Sequence, residues 1–157
     1  MDREILFRAK RIDKGEWVNG YVTRIKHSDD KGKVETYYFN ALDELGWVAE
    51  CAVSAETVCQ YTGLTDKNGR KIFEGDICDR GEKFPEIVTY HDGDWTLDYS
   101  YSSGKESGYN YCNLGFYVKE RGGVEVIGNI FDNPELLGTG SASGKQGNQQ
   151  HEKRVIK

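Results

Sequence analysis

Short stretches of alternating apolar and polar residues, separated by glycine turns, constrain how this chain can fold more than any other feature. In EILFRAKRI, residues 4–12, the side chains of Ile5, Phe7 and Ala9 fall on one side. Alternation with a period of two is typical of a strand that buries one face. Glycine suits the turns that join such strands, and the chain has 19 Gly against 2 Pro. The pattern predicts a mainly β fold made of hairpins.

The first part of the chain, residues 1–56, is predicted to form an N-terminal β region. A turn at 13–15 leads from the first strand into EWVNGYVTRI, in which Asn19-Gly20 is interpreted as a bulge or a second tight turn,. The next segments are interpreted as a polar loop at 26–33, a strand at 34–40 and a helical turn at 41–47 ended by Gly46,. Residues 47–54 are interpreted as a strand, although their Ala and Glu are also compatible with a helix.

The second part, residues 57–137, is predicted to form a small SH3-like barrel on which the N-terminal region packs. Its clearest hairpin is EIVTYHDGDWTLDYS at 86–100, because Asp-Gly between two alternating runs favours a tight turn,. The stretch SYSSGKESGYNYC at 100–112 is interpreted as a loop. GFYVKERGGVEVIGNIF at 115–131 is interpreted as a strand, a Gly-Gly turn and a strand,.

The chain is predicted to end in a short helical turn and a flexible tail. In DNPELL, Asn133 can cap a helix and Pro134 suits its first position,. Residues 138–157 are rich in Gly, Ser and Gln, a composition that buries little apolar surface,. The tail is either a passive appendage or a short partner-binding segment that ends in Val155 and Ile156.

YTGLTDKNGRKIFEGDIC, residues 61–78, superficially resembles a calcium loop. An EF-hand loop needs Gly at its sixth position, and with Gly69 there the first ligand would be Leu64, which cannot bind calcium,. Asp66 and Asn68 can instead bond the local backbone, and Gly69 accepts a positive φ, so the segment is interpreted as a β-turn.

The same segment contains a second turn, in EGD at 74–76. Gly75 is expected to allow a tight corner at the entry to a strand, and Asp76 is expected to hydrogen-bond the backbone of the turn,. Both turns are therefore interpreted as structure rather than as a catalytic or metal site.

HDGDW, residues 91–95, joins one histidine with two carboxylates and could serve acid–base chemistry or bind a metal ion,. Polar residues are also what the tip of a hairpin exposes, so the segment is interpreted as a turn. A small metal-dependent hydrolase that uses His91, Asp92 and Asp94 is kept as the least favoured hypothesis. We expect no catalytic residues, no metal and no cofactor.

Charge and cysteine usage favour a soluble cytosolic protein. The net charge is −5, and the tail contributes +3, which leaves −8 for the body. An acidic body argues against general nucleic-acid binding, which needs clustered Lys and Arg. The four cysteines lack the paired spacing of a zinc site and are expected to be reduced, mostly as small buried apolar residues,. No signal peptide or membrane span is evident.

Two groups of residues are the candidate contact surface. The first is cationic and the second is aromatic, and aromatic side chains can fill a sheet, anchor a protein partner or stack on bases. The candidates are Lys67, Arg70, Lys71, Tyr99, Tyr101, Tyr109 and Tyr111.

Three segments together resemble the YopX family of phage and prophage proteins. They are REILFRA at 3–9, TVCQYTGLTDKNGRKIFEGDIC at 57–78 and VEVIGNIFDNPELL at 124–137, in the order of the family pattern. Cys59, Cys78 and Asp132 depart from the residues expected at those positions. The resemblance implies a largely β protein with a small barrel-like C-terminal part and no accepted catalytic residues.

The leading functional hypothesis is a non-enzymatic phage or prophage accessory protein that binds a phage or host protein, or associates with itself. The alternative from another class is nucleic-acid binding through a barrel face, with Lys67, Arg70 and Lys71 as contacts. No membrane interaction is expected.

Overall fold

The protein consists of two antiparallel β-sheets. The computed structural model describes residues 3–27, 34–42, 48–103, 111–121 and 123–138. In the first sheet the strand order is β4-β3-β2-β1-β5-β6. Its strands are β1 (Phe7–Lys10), β2 (Trp17–His27), β3 (Val34–Leu42), β4 (Val48–Ser54), β5 (Cys59–Thr65) and β6 (Lys71–Phe73), and a 3₁₀ turn (Ala55–Thr57) precedes β5.

The second sheet is open, with the order β10-β9-β8-β7-β11. Its strands are β7 (Asp76–Asp79), β8 (Glu86–His91), β9 (Asp94–Asp98), β10 (Tyr111–Asn113) and β11 (Glu125–Asn129), and the helices are α1 (Ser100–Ser103), α2 (Leu114–Glu120) and α3 (Glu135–Gly138). The mainly β prediction is confirmed, and α3 lies where a terminal helical turn was expected. The prediction of a closed barrel is wrong. β10 and β11 are the two edge strands of the second sheet, and a barrel would require them to pair with each other,.

The two sheets are linked by β5 and β6. β5 pairs with β1 through Arg8 and Cys59, so it belongs to the first sheet although it follows the predicted boundary at residue 56. The division into 1–56, 57–137 and 138–157 remains a prediction. Positions 139–157 lie outside the described residues, as do 28–33 and 43–47, on which the expected polar loop and helical turn mainly fall.

Asn19-Gly20 is neither a turn nor a bulge but lies inside β2. Gly20 pairs with Phe7 on one side and with Ala41 on the other. A Cβ atom at this position would lie 2.5 Å from the carbonyl oxygen of Asn40. Glycine is therefore required here because the strands approach closely, a use of glycine that the sequence does not distinguish from a turn.

The hairpin at residues 86–98 is confirmed. β8 pairs with β9 from Ile87 to His91, and Asp92 and Gly93 have φ values of 50° and 88°. Two positive φ values in a two-residue loop are typical of the type I′ turn, which matches the right-handed twist of the strands that it joins.

Residues 115–121 were predicted as a strand, and this prediction is wrong. Leu114–Glu120 is the helix α2, and the Asn113 side chain accepts a hydrogen bond of 2.6 Å from the Phe116 amide. Leu114, Tyr117 and Val118 all pack on the core of the second sheet. Their spacing of three and four residues is that of a helix face, which the β-forming residue types obscured.

Replacing Asn113 by Ala is expected to lower the free energy of unfolding by about 1 kcal/mol, because the first turn of α2 loses its side-chain cap,. Asn113 also donates to Asp94, so the matched control is Asn113→Ser, which keeps a capping oxygen and loses that second bond. Urea denaturation should place the serine variant close to the wild type. If both variants lose the same free energy of unfolding, the cause is the lost bond to Asp94 and not the lost cap.

The main core lies between the second sheet, α2 and β6. It contains seven buried residues: Ile72, Cys78, Val88, Leu97, Leu114, Val124 and Val126. All four cysteines are free, with Cys59 and Cys78 buried. Within the described part of the chain, no helix is long and apolar enough to cross a bilayer.

Candidate binding cleft

A cleft of about 550 Å³ lies where the first sheet meets β11 and the turn that follows it. One wall comes from β1 and β2, which supply Arg8, Trp17 and Asn19. Arg70 and β6 line a second wall, and residues 127–133 complete the cleft. We call this feature the cleft below.

The base of the cleft is a buried ion pair between Arg8 and Asp76. Arg8 Nη2 donates to Asp76 Oδ1 at 2.6 Å, and the side chains are 8% and 0% exposed. The Phe73 amide donates to the other carboxylate oxygen at 2.8 Å. Burial raises the pKa of Asp76, while the charge of Arg8 and the Phe73 amide oppose that rise. Both oxygens of Asp76 thus have partners inside the protein.

The Arg8 guanidinium also lies between two aromatic rings. Its central carbon is 4.9 Å from the centre of the Trp17 ring and 4.8 Å from that of Phe73. Its Nε atom is buried and has no hydrogen-bond partner. The aromatic contacts and the ion pair hold the side chain in place, but they leave one of its donors unmet.

The turn at Gly75 positions Asp76. Gly75 has a φ of 75°, donates its amide to the Val88 carbonyl at 2.8 Å and accepts from the Ile130 amide at 2.9 Å. This corner therefore ties β8 to the turn after β11, while the next residue turns inward to meet Arg8. The expected bond between Asp76 and the turn backbone is present as the bond to Phe73.

Asp132 joins the far side of the cleft to the first sheet. Its carboxylate accepts from Lys10, from the Trp17 indole at 2.6 Å and from the side-chain Nδ2 of Asn129 at 3.0 Å. These bonds, with that from Lys10 the largest, lower the pKa of Asp132 to about 2. The ionised carboxylate therefore fixes the orientation of Trp17 in the wall of the cleft.

Replacing Asp132 by Asn is expected to remove an acid-sensitive part of the protein's stability. Because the folded-state pKa lies below the ordinary value, the contribution is complete above pH 3.8 and is lost as the pH falls to about 2,. The melting temperature of wild type should exceed that of Asp132→Asn at pH 6, and the difference should narrow toward pH 2. Asp92→Asn, at a side chain 84% exposed, is the control. A constant difference across this range would contradict the role given to the ionised carboxylate.

Asn133 packs against Gly128 and does not cap α3 with its side chain. Its Oδ1 accepts from the Asn129 amide at 3.3 Å, and only its backbone carbonyl accepts from Leu136. A Cβ atom on residue 128 would lie 2.6 Å from that Oδ1, so only glycine fits. Asn133, which was expected to cap the helix, therefore packs in the wall of the cleft instead.

The predicted cationic residues differ in their surroundings. Lys67 pairs with Glu125 at 2.5 Å, and Lys71 pairs with Glu4. Among the described residues, the Arg70 side chain forms no ion pair and donates only to the Val126 carbonyl at 3.4 Å. Arg70 and Lys71 line the cleft, whereas Lys67 does not.

The backbone near these cations follows the predicted β-turn. Asp66 accepts from the amides of Asn68, Arg70 and Val126, and Gly69 has a φ of 82°. Burial alone would raise the pKa of Asp66, but these amides outweigh it and the pKa is lowered.

The three predicted tyrosines that the structure describes do not line the cleft. Tyr99 lines a separate, smaller cleft of about 310 Å³, where Arg80 forms a two-pronged ion pair with the buried Glu86. Tyr101 donates to the Pro85 carbonyl at 2.6 Å, and Tyr111 lies 4.4 Å from the His91 ring. Tyr109 lies outside the described residues.

The hairpin tip considered for acid–base chemistry is open to solvent. His91 Nδ1 lies 3.2 Å from Asp92, with the side chains 47% and 84% exposed, and Asp94 bonds Asn113. Among the described residues, no three His, Cys, Asp or Glu side chains are grouped as metal ligands. Burial raises the pKa values of Cys59 and Cys112 to about 11, which disfavours their nucleophilic thiolate forms,.

Sequence reasoning missed four residues that build the cleft: Arg8, Trp17, Asn129 and Asp132. Some of their contacts join distant positions, as in the bond from Trp17 to Asp132, which lie 115 positions apart. The sequence did contain a signal for this site, because the three segments that resemble the family pattern, at 3–9, 57–78 and 124–137, all contribute residues to the cleft.

A known protein family matches the chain from the first of these segments to the last. The model of the family described as YopX protein matches residues 6–138. No curated protein matches the chain. A crystal structure of protein EF1440 from Enterococcus faecalis is similar, with 24% identity, a TM-score of 0.50, and coverage of 87% of this chain and 99% of that one. At this identity the similarity concerns the fold alone.

Proposed function

This chain belongs to the YopX family, and from that premise we propose that it is a non-enzymatic protein-binding module with the cleft as its contact surface. We place it among the accessory proteins of a phage or prophage, acting in the cytoplasm of the bacterial host on a phage or host protein.

The observation that carries this proposal is the convergence of three distant segments on one open cleft. Arg8 comes from the first segment, Arg70 and Phe73 from the second, and Asn129 and Asp132 from the third. A cleft with aromatic walls and a few polar groups suits recognition of a partner. Trp and Arg are also the residue types that most often dominate the energy of protein contacts.

The charges near the cleft support a protein partner over a nucleic acid. Two of the three cations suggested for phosphate contacts, Lys67 and Lys71, have carboxylate partners. Binding a phosphate backbone requires several unneutralised cations on one face. The body has a net charge of −8, so long-range electrostatic repulsion also disfavours nucleic-acid binding,.

Site-specific photocrosslinking tests the proposal. A photoreactive phenylalanine analogue at Asn19, which is exposed at the edge of the cleft, should capture one protein in stoichiometric amount from phage-infected or prophage-induced host cells. The same analogue at Lys14, an exposed turn position outside the cleft, should capture none. Light scattering of the purified protein will show whether the captured partner is a second copy.

The outcomes separate the classes of function. Equal crosslinking from both positions, or none from Asn19, would contradict the proposal. A product that nuclease removes would favour the nucleic-acid hypothesis. Loss of the Asn19 product when Arg70 is replaced by Gln would place the contact in the cleft itself.

A further inference from the structure

Most charged groups at the cleft already have a partner of opposite charge. Arg8 pairs with Asp76, Lys71 with Glu4, and Asp132 with Lys10. Arg70 is the exception among the described residues that line the cleft. The Arg70 guanidinium therefore has no carboxylate in direct contact, although the charge of Asp66 lies nearby.

Hydrogen-bond donors are also left over. Arg70 uses a single long bond to a carbonyl, and the Asn19 side chain has no hydrogen bond among the described residues. The Nε of Arg8 also lacks an acceptor, but it is buried and therefore closed to a ligand in the cleft. The two accessible donors come from different elements around the same space, Arg70 from the turn before β6 and Asn19 from β2.

The charge balance favours a monoanion. One unpaired Arg matches one negative charge, and its planar guanidinium fits both oxygens of a carboxylate. A phosphate dianion would meet Asp132 in the wall, Asp76 behind Arg8 and Asp66 near Arg70. Such like charges disfavour a second negative charge on the ligand.

We propose that the cleft binds a carboxylate of an acidic segment in the partner protein, with Arg70 as the charged donor and Asn19 as a further donor. The inference rests on the proposed function and specifies its ligand chemistry. Trp17 and Phe73, which flank Arg8, provide the apolar walls beside the carboxylate.

Nuclear magnetic resonance of the full ¹⁵N-labelled chain tests this site through the arginine Nε–Hε signals. The probe is a blocked tetrapeptide containing one glutamate, and its matched control contains one glutamine. The glutamate peptide should shift the Arg70 signal in a saturable manner, and the glutamine peptide should not. Inorganic phosphate at the same pH and ionic strength should bind more weakly than the glutamate peptide.

Two variants locate the effect. Arg70→Gln should weaken binding of the glutamate peptide by about tenfold or more, since a hydrogen bond to a charged group is lost. Arg121→Gln should bind it as wild type does, because Arg121 lies outside the cleft on Phe116.

Three results would overturn the inference: unchanged affinity in Arg70→Gln, equal binding of both peptides, or tighter binding of phosphate. The photocrosslinking experiment reports contact with a protein, and the analogue at Asn19 removes one proposed donor but leaves Arg70 in place. A crosslink from Asn19 without any response to carboxylate would leave the protein-binding function standing and remove only the carboxylate site.

Discussion

The Arg8→Met variant is expected to lose about 3–5 kcal/mol of unfolding free energy, because breaking a buried ion pair leaves an uncompensated charge. The charge left behind is Asp76, whose side chain is 0% exposed. Its pKa is already raised by burial, and without Arg8 it rises further,. Chemical denaturation monitored by tryptophan fluorescence would measure the loss.

The control for Arg8 is Arg24→Met. Arg24 also forms an ion pair, with Glu50 at 3.2 Å, and also lies over an aromatic ring, but its side chain is 59% exposed. An exposed pair contributes about 1 kcal/mol or less, so this variant should remain close to wild type. Similar losses in the two variants would mean that burial of the Arg8 pair has no special cost.

The loss in Arg8→Met should depend on pH. A carboxyl group with a raised folded-state pKa binds more protons in the folded state than in the unfolded state, so stability falls as the pH rises between the two pKa values. The difference between variant and wild type should therefore be smallest below pH 3.8, the ordinary pKa of Asp, and grow above it. A difference that does not change with pH would contradict a buried carboxylate as its cause.

Replacing Gly75 by Val is expected to lower the free energy of unfolding by about 2–5 kcal/mol, which combines the strain of a left-handed backbone with overpacking. The φ of Gly75 is 75°, and its added Cβ would lie 3.4 Å from the Ile130 side chain. The branches of valine would extend beyond Cβ into Ile130 and Phe131, which lie beside the cleft. Thermal denaturation should show a markedly lower melting temperature.

Two further variants separate strain from crowding. Gly75→Ala adds only the Cβ, and Gly81→Val has the same branched side chain at a φ of 84° with no atom within 4 Å of the added Cβ. We expect both to be less destabilised than Gly75→Val. A melting temperature of Gly75→Val equal to wild type within error would disprove the structural role of this glycine.

Local sequence chemistry was enough where the determining contacts lie within a few residues. Asp92-Gly93 specifies a turn because both residues tolerate positive φ, and the hairpin on either side followed the prediction,. Where two contributions compete, the sequence was misleading. In α2, the aromatic and β-branched residues suggested a strand. The Asn113 cap and the burial of one helical face stabilise a helix instead.

The candidate site depended on contacts between distant segments. Arg70 and Lys71 were selected from the sequence as exposed cations, and both line the cleft. Their different environments could not be predicted, because Glu4 reaches Lys71 across 67 positions, while the guanidinium of Arg70 forms no ion pair among the described residues. The same reason hid the role of Arg8, which in the sequence is only the polar residue of an alternating strand.

The sequence by itself determined the mainly β character, the positions of the turns and the family, because alternation and turn chemistry act over a few neighbouring residues. Only the tertiary structure decided that the second sheet is open, that Gly20 serves a close strand contact and that Arg8 meets Asp76 under Trp17. Charge pairing and burial depend on which distant residues meet, and a linear pattern does not contain those distances. The cleft is thus a property of the packed sheets, built from segments that the sequence had identified separately.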